Sequence, residues 1–217
     1  QGVQRIVGQT ESFNISIITT NYDLHVELGA VASGTRVCPT ASVLRACQPG
    51  TVSSAGPLLS LYRPYSSNEC IRLFKLHGSV NWFQTAAGFE VEDRLRPTPE
   101  FNEERERRWY WIGDAEGHYL TRSDAVIVPP TVVKPELIGA LGEQWAGACK
   151  AMSEADALWF VGYSFPESDS FMRYFIGSAL VENPRLRQIV VVDPDPNVLE
   201  ARARPLFDAP HLQEVFQ

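Results

Sequence analysis

Apolar runs of strand length recur along the chain, at Ile15–Thr20, Leu73–Leu76, Ala125–Val128, Leu158–Gly162 and Gln188–Val192. Continuous rather than alternating apolar character is what a parallel sheet covered on both faces demands. Between the later runs the apolar positions take a helical period. In Lys134–Ser153 they fall at Leu137, Leu141, Trp145, Ala148 and Met152, with Pro135 where a first-turn proline is tolerated. In Ser168–Val181 the stripe is Phe171, Phe175, Ile176 and Leu180, and Asn197–Pro205 predicts a third, short helix. Strands alternating with helices predict βαβ units in a doubly wound parallel α/β sheet, with right-handed crossovers. Two stretches break the pattern. Gly34–Asn68, rich in Ser, Pro and Gly, reads as a long loop or irregular insertion. Gln84–Ser123 carries Glu103–Arg108 and then Trp109-Tyr110-Trp111, and predicts an inserted hairpin or edge strands. The organisation expected is a single domain over residues 1–217, interrupted at these two places.

A chain of 217 residues buries roughly 70% of its unfolded surface on folding, enough for a core without disulfide staples. No apolar run approaches the roughly 20 residues that cross a bilayer, and no basic-then-apolar leader opens the sequence. The net charge of −7 argues against nucleic acid as a direct ligand. The four cysteines, Cys38, Cys47, Cys70 and Cys149, are widely and irregularly spaced. They predict no metal site and read as reduced, mostly buried thiols of a cytoplasmic protein.

In doubly wound sheets ligands bind beyond the carboxyl ends of the strands. Each predicted strand runs there into small or polar residues: Asn21-Tyr22-Asp23, His77-Gly78-Ser79, Pro129-Pro130-Thr131, Gly162-Tyr163-Ser164 and Asp193-Pro194-Asp195. His77 has two readings, a general base near neutral pH or a buried histidine bonded to a loop carbonyl. Asn21 and Asp23 suit ribose hydroxyls or an amide, and equally a turn and helix cap. Asp193 and Asp195 suit a nucleotide ribose, and equally a helix start with Pro196 in its first turn. Ser164 can donate to a phosphate, and Ser168 reads as the cap of the following helix, with Asp169 in its first turn. The GxSxG, Walker, HExxH and GxGxxG patterns are absent from the sequence.

Four blocks in order resemble the sirtuin-like family, in its bacterial defence and uncharacterised branch. They are Ile18-Thr19-Thr20-Asn21-Tyr22-Asp23, Lys75-Leu76-His77-Gly78-Ser79-Val80-Asn81-Trp82, Val128-Pro129-Pro130-Thr131 and Phe160-Val161-Gly162-Tyr163-Ser164-Phe165-Pro166-Glu167-Ser168-Asp169. The resemblance implies a Rossmann-like fold with NAD as substrate. It implies catalytic roles for His77 and Asn21, and cofactor-binding roles for Thr20, Asn21, Asp23, Gly162, Ser164, Asp193 and Asp195. The reaction implied is scission of the bond between nicotinamide and ribose. Only Cys149 follows His77, so the four-cysteine zinc module of sirtuin deacetylases is missing. That favours an NAD+ glycohydrolase, with anti-phage defence as its expected setting. The alternatives are a non-catalytic NAD- or ADP-ribose-binding or assembly module, and third a protein deacylase. Beyond NAD+, the expected partners are a second copy of the chain or a sensor protein, and no membrane. The family's first strand and its Gly-Ala-Gly phosphate loop have no match, so the expectation is an N-terminally incomplete domain.

Overall fold

In the computed structural model the described residues are 14–40, 43, 70–85, 88–91, 95–97, 110–112, 125–128 and 135–207. They fall in two compact units, residues 1–144 and 145–217. Each is taken by itself.

The first unit is built on β3 (Cys70–Lys75), flanked by β1 (Ser16–Thr19) and β2 (Arg36–Cys38), all parallel. Thr19 stands opposite Lys75, and the Leu76 amide extends the ladder to the Thr19 carbonyl. The central position of β3 explains the burial of Ile71, Leu73 and Phe74. Helix α1 (His25–Ser33) joins β1 to β2. β2 ends at Cys38, opposite Arg72, so the Lys75 amide lies beyond its reach. The buried Gln144 carboxamide takes over there, accepting from the Lys75 amide at 3.1 Å and donating to Thr40 Oγ1 at 2.7 Å.

A second, antiparallel sheet sets β4 (Gly78–Thr85) between β5 (Gly88–Val91) and β8 (Ala125–Ile127). β6 (Leu95–Pro97) and β7 (Tyr110–Ile112) form a further antiparallel pair. The turn from β3 into β4 depends on Gly78. Its φ is +81°, and a Cβ there would lie 1.8 Å from the Val126 carbonyl oxygen.

In the second unit, β9 (Ala157–Val161) and β10 (Gln188–Val192) pair in parallel, joined through α3 (Ser170–Val181). The unit opens on the C-terminal half of α2 (Pro135–Ser153), where Trp145 meets Phe171 and Phe175 edge to face. Asn183 is buried and ties the turn before β10, donating to the Met152 and Ala155 carbonyls and accepting from the Arg185 amide. Asp169 caps α3, accepting from the Met172 amide. Asp195 caps α4 (Pro196–Ala203), with Pro196 at the first helical position. A short 3-10 turn, Arg204–Phe207, follows.

The structure is mixed α/β, with parallel strands and helices as the pattern predicts, and it alters several expectations. Ala125–Val128 does not join a parallel sheet; its first three residues form β8, which runs antiparallel to β4, because so short an apolar run carries no information on strand direction. Ser168 is not the cap of α3; Asp169 is, one residue later. Arg36–Cys38 is a strand inside the stretch read as loop, while residues 44–69 lie outside the described residues. Within Gln84–Ser123, read as an inserted hairpin or edge strands, β6 and β7 pair antiparallel, and Trp109 lies outside the described residues. Cys38 is disulfide-bonded rather than reduced, while Cys149 is a free thiol. Among the described residues no helix is long and apolar enough to cross a membrane.

Two outcomes follow from this geometry. Gly78→Ala combines a left-handed backbone, costing about 1–3 kcal/mol on its own, with a backbone clash. Gly34→Ala meets open space at φ +67° and carries the backbone cost alone. Urea denaturation should show Gly78→Ala as the far more damaging change; equal losses would contradict the described turn. Alkylation with iodoacetamide under denaturing, non-reducing conditions should modify two of the four cysteines, and all four only after reduction.

Candidate functional site

Two segments of the first unit meet at the carboxyl ends of β1 and β3. The chain leaves β1 through Thr20-Asn21-Tyr22-Asp23 and leaves β3 through Leu76-His77-Gly78-Ser79. Parallel neighbours end on the same side, so the topology alone places the Asn21 and His77 blocks together. The Val80 amide donates to the Tyr22 carbonyl at 2.9 Å, and the Val128 amide donates to the His77 carbonyl at 3.0 Å. His77 is buried, at 8% exposure. Asn21 and Tyr22 are exposed and Thr20 half-buried, with the Asn21 amide donating to Thr19 Oγ1.

Asp23 starts α1. Its Oδ1 accepts from the His25 amide at 3.0 Å and lies 2.9 Å from His25 Nδ1. Partial burial alone would raise the Asp23 carboxyl. The His25 amide and imidazole, together with the Lys75 charge, outweigh it and hold the group below its ordinary 3.8.

Beneath these segments lies a fully buried ion pair. Lys75 Nζ is 2.9 Å from Glu27 Oε1, with the two side chains 1% and 0% exposed. The ammonium also donates to Ser79 Oγ at 2.8 Å and to the Asp23 carbonyl, so its three protons meet three acceptors. Ser79 Oγ in turn donates to Asn81 Oδ1 at 2.7 Å, within the buried interior. The second carboxylate oxygen of Glu27, Oε2, is buried without a hydrogen-bond partner. Removing one member of such a pair typically costs about 3–5 kcal/mol, whereas replacing both by apolar groups is often neutral or stabilising.

The remaining predicted residues belong to the second unit. Gly162 follows β9 with φ +65°, its amide donating to the Val192 carbonyl. Ser164 is exposed. Asp193 Oδ1 accepts from the Asp195 amide, and Asp195 Oδ1 from the Val198 amide, so each carboxylate already serves the start of α4. Tyr163 lies near Asp169 Oδ2 at 3.4 Å. Burial first, then the Asp169 charge, push its phenol well above the ordinary range. Phe165, at φ +45° and fully buried, packs between Phe160, Tyr163 and Phe207.

The structure therefore brings Thr20, Asn21, Asp23 and His77 to one strand edge. It places Gly162, Ser164, Asp193 and Asp195 at the corresponding strand ends of the other unit. The sequence reading assigned no role to Lys75 or Glu27. A signal was present: Lys75 is one of only three lysines in the chain and interrupts an apolar strand. A family model for the SIR2-like domain matches residues 15–214. Comparison with curated proteins finds none that matches.

The Asp23 carboxyl gives a pH prediction. Its folded value lies below its ordinary 3.8, so its contribution to stability is complete above that value and is lost as pH falls through the folded value. Acid unfolding of Asp23→Asn should therefore lose less stability over that interval than the parent protein. Parallel curves would contradict the described carboxylate environment.

Proposed function

Because this chain belongs to the SIR2-like domain family, whose members have NAD-related functions, we propose that it is an NAD+ glycohydrolase, cleaving NAD+ to nicotinamide and ADP-ribose. The observation that carries the reading is the joining of the Asn21 and His77 blocks at one strand edge, through the Val80–Tyr22 hydrogen bond and the Lys75–Asp23 contact.

The glycosidic electron pair leaves with nicotinamide, which departs neutral, and C1′ acquires oxocarbenium character. Water then adds to C1′ and releases a proton. In this reading His77 accepts that proton or orients the ribose that bears the reacting carbon, and the Asn21 carboxamide holds the ribose side of the substrate. Thr20 and Asp23 line the same edge. In the second unit, Gly162, Ser164, Asp193 and Asp195 are proposed as cofactor-binding residues. Consumption of NAD+ in anti-phage defence is the biological setting proposed, by analogy with the family. A second reading, NAD+ or ADP-ribose binding without turnover, draws support from the burial of His77.

Incubation with NAD+ and chromatography of free nicotinamide separates the two. The glycohydrolase reading predicts steady release, reduced about 10²–10⁴-fold in His77→Ala with NAD+ binding retained. Binding of NAD+ by the parent protein without any release would overturn turnover and leave the binding reading.

A further inference from the structure

We propose that the buried Lys75–Glu27 pair is a positioning device, a clamp that fixes the Asn21–Asp23 segment against the His77 turn. For its effect on turnover this rests on the glycohydrolase reading; for its effect on the loops it does not.

The three partners of the ammonium come from three different segments. Asp23 lies on the segment leaving β1, Glu27 on α1, and Ser79 just past His77. Lys75 itself ends β3, the strand that delivers His77. One charged group thus ties together both segments that carry the candidate chemistry and the helix that follows the first. The ties reach across 52 and 48 residues of sequence to Asp23 and Glu27. Ser79 passes the constraint on to Asn81, so the polar chain runs along the turn that holds His77.

Stability is a poor explanation for this arrangement. A buried pair gives little net stabilisation over an apolar replacement of the same shape. Here the pair also leaves Glu27 Oε2 buried and unpartnered, a defect that an apolar pair would not have. What an apolar pair would lack is direction. The ammonium has three directed protons and each meets a different segment, whereas hydrophobic contact is non-directional. Positioning residues of this kind act through the groups they hold, so Lys75 and Glu27 need not touch substrate.

The test uses the double variant Lys75→Met/Glu27→Leu, which removes both charges while keeping similar bulk. Amide hydrogen exchange reads the clamp directly. The Val80 amide, bonded to the Tyr22 carbonyl, should exchange at least tenfold faster than in the parent protein, while Leu73 and Phe74 in β3 keep their protection. In the nicotinamide assay kcat should fall at least tenfold with KM changed less than threefold, the pattern of a lost transition-state arrangement. Unchanged Val80 exchange in the folded double variant overturns the proposal. If the parent protein releases no nicotinamide, the glycohydrolase reading fails, and the exchange measurement still decides the clamp. If the double variant does not fold, Ser79→Ala, which removes one acceptor of the ammonium and the donor to Asn81, should accelerate Val80 exchange about threefold; no acceleration there overturns the proposal.

Discussion

A lysine ammonium buried in an apolar strand must find an acceptor for every proton, and at Lys75 that requirement organises the surrounding chain. The strand cannot take its place in the core unless Glu27 arrives on α1, the Asp23 carbonyl arrives from β1, and Ser79 folds back after His77. The backbone repeats the message. Leu76 continues the ladder to Thr19, Val80 reaches Tyr22, and Gln144 closes the open side of β3 where β2 stops. Local conformation, buried electrostatics and the meeting of the two candidate segments are therefore one structural problem with one solution.

Gly78 belongs to the same solution. The polar turn after β3 must reverse at once into β4, and β8 passes so close that only a residue without a Cβ fits. The sharp turn brings Ser79 back to the strand end it has just left, within reach of the ammonium. The second unit meets the same demand by other means. There the chain leaves β9 through Gly162 and a left-handed Phe165, whose ring is held among aromatic neighbours, before Asp169 starts α3. In both units the strand ends are shaped by short, locally satisfied loops, the setting in which doubly wound folds bind nucleotides.

Much of this was legible in the amino-acid sequence. The Ile- and Val-rich run Gln188–Val192 became β10 without adjustment, and the Asp-Pro-Asp-Pro stretch became a capped helix start because proline and aspartate each suit those positions. The carboxyl-end residues Asn21 and His77 were found together because parallel neighbours end on one side. Other features left no periodic trace. Helix α1 carries Glu27 and Gly29 among its buried positions, so it shows no apolar stripe. β4 buries Asn81 beside Trp82 and Phe83, which breaks the alternation that marks a strand. Lys75 stands out as a rare lysine in an apolar run, but its partner does not: pairing it with Glu27 depends on β1, α1 and β3 converging, and neither residue signals the other along the chain.

We propose that the edge formed by the Asn21 and His77 segments is where the dinucleotide engages the first unit. Backbone amide shifts recorded while NAD+ is titrated into the protein test it most directly. The account predicts that the largest shifts fall on Thr20–Asp23 and on His77–Asn81. Binding that leaves those amides unmoved while shifting residues elsewhere in the first unit would contradict it.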